Sequence, residues 1–149
     1  MKTQSDIEGD FYTLLRESPV ASLISGGVYR ATYRPKDSRL EDAVVVVTAT
    51  QTGQVQTGVV TINVYVPDTP DATGDLVKDG ERCATLERAL QDWVDTSLTA
   101  ARSSYRIEQQ GAVSSVSAEP DNLPMHFVVA MLRYDYFGDD SPVTPIKNL

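Results

Sequence analysis

Between Ala43 and Val66 the chain carries no charged residue. Val44-Val45-Val46-Val47 opens the stretch, Thr52-Gly53 interrupts it, and Val59 to Val66 closes it. β-Branched and aromatic side chains at this density suit a pleated, partly buried surface. A turn signal between two such runs reads as an antiparallel hairpin. In the second run Val60, Ile62, Val64 and Val66 share one face; Val59, Thr61, Asn63 and Tyr65 share the other. Gly58 is the expected site of a bulge. A long uncharged hairpin left open to water is a template for aggregation, so a fold containing it has to cover it.

The flanking segments supply the cover. Ile7, Phe11, Leu14 and Leu15 recur at helical spacing, with Ser5 or Asp6 as the expected N-cap. Pro19 disfavours helical geometry at Ser18, so this helix stops near Glu17. Ser18-Pro19 then starts a short second helix, and Gly26-Gly27 is expected to cap its C-terminus. Tyr29, Ala31 and Tyr33 alternate with Arg30, Thr32 and Arg34, which predicts a strand with one aromatic and one basic face. Pro35 to Asp42 is a charged connection. After the hairpin, Pro67 to Gly80 reads as a loop without regular structure, because prolines, glycines and aspartates dominate it. Asp79 is the expected N-cap of a helix over Arg82 to Leu98. Its buried stripe is Cys83, Leu86, Leu90, Trp93 and Val94; Glu81, Arg88, Asp92 and Asp95 form its wet face. Tyr105-Ile107 and Val113-Val116 read as short strands separated by a turn or bulge at Gln110-Gly111. Met125 to Phe137 is the longest strand. Its first half is apolar in both phases and predicts a central strand covered on both faces.

Helices and strands are not interleaved as parallel units, so the class is α+β. The expected architecture is an antiparallel or mixed β-sheet with a long hairpin, packed against two α-helices. Residues 1–137 form a single domain, and 138–149, with Pro142 and Pro145, a flexible C-terminal tail. A chain of 149 residues matches one ordinary domain.

Thirteen basic against twenty-one acidic residues give a net charge of −8. That balance disfavours specific nucleic-acid binding through a basic surface. No apolar run approaches the roughly 20 residues that cross a bilayer, and the N-terminus lacks a signal-peptide core. One cysteine, Cys83, and one histidine, His126, leave few catalytic or metal-binding constellations that can be assembled. Cys83 lies in a helical first turn, where a thiol can be activated, but it also sits on the apolar stripe, and packing is its expected role. His126 is expected at a strand entry. Asp68, Asp71, Asp75 and Asp79 lack the spacing of a calcium loop and read as a solvated acidic loop. No catalytic residue, metal or cofactor is expected. The basic cluster Arg30, Arg34, Lys36 and Arg39, interleaved with tyrosines, suits an acidic protein surface. With the loop aspartates Asp68, Asp71 and Asp75 it forms a candidate subunit interface.

The arrangement resembles the tail-terminator (tail-completion) proteins of tailed bacteriophages and related prophage proteins. The resemblance runs from Ile7 to Phe137. It rests on the order of LLRESPVASLISGGVYR (14–30), a charged loop, a hairpin ending in Val59–Val66, the helix Arg82–Leu98, and the strands at Tyr105–Ile107 and Phe127–Leu132. It implies a small α+β virion structural protein that assembles as a hexameric ring. The ring would cap the finished tail tube and contact the tail-tube and head-completion proteins, without catalysis or cofactor. It would assemble in the host cytoplasm and end in the virion tail, with DNA passing through it. Two other readings remain: a neighbouring head–tail joint protein, and a small enzyme with a cleft around Cys83, His126 or the loop aspartates.

Overall fold

Thr3 starts the first helix. In the computed structural model, which describes residues 1–118 and 124–138, the Thr3 hydroxyl accepts from the Asp6 amide at 3.1 Å. The Asp6 carboxylate accepts from the Thr3 amide at 2.9 Å. This reciprocal capping box moves the cap two residues ahead of the expected Ser5 and gives Asp6 the third helical position instead. Helix α1 spans Gln4–Arg16 and buries Ile7, Phe11, Leu14 and Leu15, as the spacing predicts. Ser18 caps the short helix α2, Pro19–Leu23, with Pro19 in its first turn.

Gly26-Gly27 does not cap that helix, which ends with Ile24 in extended geometry. The glycine at 26 is there for close approach. A Cβ on it would lie 2.0 Å from Asp42 Oδ1 and 2.5 Å from the Glu41 carbonyl oxygen. Its amide instead donates to that carbonyl at 2.9 Å.

The sheet combines β1 (Val28–Arg30), β2 (Ala43–Gln51), β3 (Gln56–Pro67), β6 (Tyr105–Gln109), β7 (Ser114–Ser117) and β8 (Met125–Tyr136). Its order is β1-β2-β3-β8-β6, and β7 pairs with β8 beside β6. β1 runs parallel to β2 and every other pairing is antiparallel, so the sheet is mixed. The charge-free stretch forms the β2–β3 hairpin. Its irregularity falls at Thr48, between Val47 and Ala49, and Gly58 is in normal register with Thr50 and Tyr134. β1 is half the expected length: the Tyr33 amide turns back to the Arg30 carbonyl at 3.1 Å, and Thr32 adopts a left-handed φ of 74°. A β-branched residue in that region is strained, and the contacts of Arg34 described below hold the turn.

Pro67 to Gly80 is not wholly irregular. β4 (Thr69–Pro70) and β5 (Leu76–Val77) form a small antiparallel ribbon. Asp71 closes it by accepting from the Thr73 amide at 2.8 Å and the Asp75 amide at 3.1 Å. Asp79 caps helix α3, Gly80–Trp93, by accepting from the Arg82 amide. The α-geometry stops at Trp93, and Val94–Leu98 widens into a π-turn that buries both of its ends. Arg102 then donates Nη1 to the Leu98 and Ala100 carbonyls and closes the helix.

α1 and α3 lie on the same face of the sheet. Their stripes meet Val45, Val60, Ile62, Val64, Val128, Ala130, Leu132, Tyr134 and Tyr136 in one core. β8 is central in pairing, but among the described residues its second face is not covered as its apolar pattern predicts. Phe127 and Val129 are half-buried and Met131 is 44% exposed. The expected tail falls, from residue 139 on, outside the described residues.

Candidate functional site

The helix-free face of the sheet is a continuous patch. Register places Val46, Thr61 and Met131 in one row; Val44, Asn63 and Val129 in the next; Tyr65, Phe127 and Val116 in a third. The Tyr65 and Phe127 rings lie 5.4 Å apart, tilted by 49°. Val116 is 43% exposed at its end of the row. In the middle row the Asn63 side-chain oxygen is buried with no hydrogen-bond donor among the described residues. A buried acceptor left without a donor costs free energy.

The rim of this patch does not have the expected arrangement. Arg30 and Arg34 do not share a strand face, because the chain turns between them. Arg34 is drawn inward: Nε donates to Asp42 Oδ2 at 2.9 Å, Nη2 to the Ser38 carbonyl at 3.1 Å, and the guanidinium lies 3.8 Å from the Tyr65 ring centre. Asp42 is itself fully buried and also accepts from the Gly27 amide and the Ser38 hydroxyl. Arg30 stacks on Tyr12 at 5.4 Å. Lys36 and Arg39 are exposed. Of the acidic set, Asp68 is bound to His126 Nδ1 at 2.7 Å, Asp71 is occupied by its own turn, and Asp75 is exposed on the ribbon. Arg30, Lys36, Arg39 and Asp75 thus remain at the surface, while Arg34 and Asp68 hold their own fold together.

Sequence reasoning missed Glu41 and Asp42. Glu41 receives a forked contact from Arg82, Nε to Oε2 at 2.6 Å and Nη2 to Oε1 at 2.8 Å, and accepts from the Ser25 amide at 3.1 Å. Arg82 also donates to the Leu23 carbonyl. One carboxylate therefore ties α2, α3 and the start of β2. The Arg82 fork holds Glu41 below the ordinary carboxylate value. The signal was present: an acidic pair directly before a charge-free run lies at a sheet end, where burial begins.

Cys83 is 1% exposed, and burial pushes its thiol up, against the activation a nucleophile needs. Among the described residues no three His, Cys, Asp or Glu side chains converge as a metal site. No described helix is long and apolar enough to cross a membrane.

No family model matches the chain, and no curated protein matches it. Seventeen solved chains resemble it in structure. One of them, a protein without a functional name, is 19% identical, with 91% of this chain and 96% of that chain covered and a TM-score of 0.50. At that identity the likeness concerns the fold, and it supports the α+β architecture.

Proposed function

We propose that this chain is a structural subunit of a tailed-phage virion, which terminates the tail tube and joins it to the head as a ring of identical copies. The observation that carries this reading is the helix-free sheet face. It presents Tyr65, Phe127, Val129, Met131 and Val116 on one surface. Contiguous apolar surface of this kind marks a contact with another protein. In a ring each contact is head-to-tail, so this face meets a different surface of the next copy. The net charge of −8 suits a channel wall that does not retain DNA.

The test is electron microscopy of particles assembled without the protein. The expected result is tails of uneven length that fail to join heads. Tails of uniform length joined normally to heads would overturn the reading. Headless tails of normal length would favour a neighbouring joint protein instead.

A further inference from the structure

Tyr12 of α1, Tyr29 and Arg30 of β1, Val28 and Tyr33 line an open groove of about 370 Å³ at the free edge of the sheet. Tyr33 is 71% exposed, a large aromatic surface to leave in water. Two guanidiniums, Arg16 and Arg30, lie over the Tyr12 ring at 5.4 Å each. Neither forms an ion pair among the described residues. The groove is therefore tyrosine-lined, basic at one side and without a carboxylate in its wall. A tyrosine-lined groove beside a cation suits an extended, proline-containing segment flanked by acidic residues. Prolines pre-set the left-handed extended helix and stack on aromatic rings.

The chain itself contains such a segment. Residues 139–149 read Asp-Asp-Ser-Pro-Val-Thr-Pro-Ile-Lys-Asn-Leu, with two prolines three apart directly after two aspartates. We propose that Pro142–Pro145 of one copy occupies the tyrosine groove of a second copy, with Asp139 and Asp140 facing Arg16 and Arg30.

Reach decides between the chain's own groove and a neighbour's. Phe137 is pinned, its amide donating to the Ser104 carbonyl at 2.9 Å. Tyr29 is level with Val129 through Val44 and Asn63, three strands across from β8. Eight residues along a strand and three strand spacings across place the groove about 30 Å from Phe137. Fully extended, the chain from Phe137 reaches about 18 Å to Pro142 and about 28 Å to Pro145. Pro142, at about 18 Å, and Asp139 and Asp140, nearer still to Phe137, fall well short of their own groove, so a contact that seats both prolines and both aspartates is made between copies.

This contact does not depend on the phage reading. It uses a different surface from the open sheet face, so either can fail alone. The probe is a fluorescent peptide of sequence Gly-Asp-Asp-Ser-Pro-Val-Thr-Pro-Ile-Lys-Asn-Leu. It is titrated into the full-length Pro142→Ala/Pro145→Ala protein, whose own segment cannot compete. Saturable binding is expected, weakened about tenfold by adding Tyr33→Ala and weakened by rising salt. Tyr33 is exposed, so this change leaves the fold intact, and circular dichroism checks it. A peptide with both prolines changed to alanine should bind as weakly. No saturable binding, or binding indifferent to Tyr33→Ala, overturns the proposal. In a mixture, full-length Tyr33→Ala and full-length Pro142→Ala/Pro145→Ala should form a one-to-one complex in sedimentation that neither forms alone. Equal self-association of both variants and of the unaltered protein would also overturn it.

Discussion

Arg34 holds its guanidinium 3.8 Å from the centre of the Tyr65 ring while its Nε donates to the buried carboxylate of Asp42. A cation, an anion and an aromatic ring thus lock the irregular segment 31–42 onto the end of the hairpin. Removing the cation leaves Asp42 charged, buried and short of a partner. Arg34→Ala should therefore lower stability by about 3–5 kcal/mol, read as a fall in the urea midpoint. Arg30→Ala should cost far less, within roughly 1 kcal/mol. Equal midpoints for the two variants would contradict the inward placement of Arg34.

Gly26 faces the same carboxylate. Gly26→Ala puts a methyl group into space held by Asp42 and the Glu41 carbonyl, and overpacking of this kind costs about 1–3 kcal/mol or more. Gly80 is the control, because a Cβ there meets nothing within 4 Å. Gly80→Ala in the first turn of α3 should be neutral or gain about 0.4–1 kcal/mol. Thermal melts of the pair should move in opposite directions or by clearly different amounts.

The Glu41–Arg82 fork predicts an acid limb in the stability curve. Glu41 titrates lower in the folded chain than its ordinary value of 4.5. Its deprotonated form therefore stabilises the fold. That contribution is complete above about pH 4.5 and is lost as pH falls through the lowered folded value. Glu41→Gln should be less stable than the parent at pH 7, and the difference should shrink below pH 4. A gap that stays constant across that window would show that the charge of Glu41 is not what Arg82 holds.

On the open face, Met131 is the most exposed member of its row. Met131→Glu should change monomer stability by no more than about 0.5 kcal/mol. Self-association, measured by sedimentation equilibrium, should weaken, since a charge would be placed in an apolar contact. Unchanged association would remove this face from the assembly.

Periodic segments were legible in the sequence, and segments set by a distant partner were not. The stripe Ile7, Phe11, Leu14, Leu15 and the alternation Val60, Ile62, Val64, Val66 each repeat one local rule, so their buried faces could be read directly. β1 could not be read this way. Its alternation of Tyr29, Arg30, Ala31 and Thr32 is good strand pattern. The strand is cut short because Arg34 is held by Asp42, a side chain from the far end of the connection. Gly26-Gly27 looked like a cap because glycine's tolerance of left-handed geometry is its commonest use; here its lack of a side chain matters instead. The double apolar phase of Phe127 to Met131 correctly marked the centre of the sheet. It could not say that, among the described residues, no helix covers the second face. The tyrosine groove left no linear signal, since Tyr12 is brought to Tyr29 and Tyr33 by packing alone.

The position of β8 in the sheet has a consequence for synthesis. β3, β6 and β7 all hydrogen-bond to it, yet it leaves the ribosome after all three. The β2–β3 hairpin emerges earlier and must wait for roughly seventy more residues, several seconds at about 5–20 residues per second. During that interval the free edge of β3, from Gln56 to Pro67, is uncharged along its whole length. Nascent chains on neighbouring ribosomes can pair along it. Yield in the cell should therefore be governed by how quickly β8 arrives, and slower translation upstream of Met125 should divert more chains into aggregates.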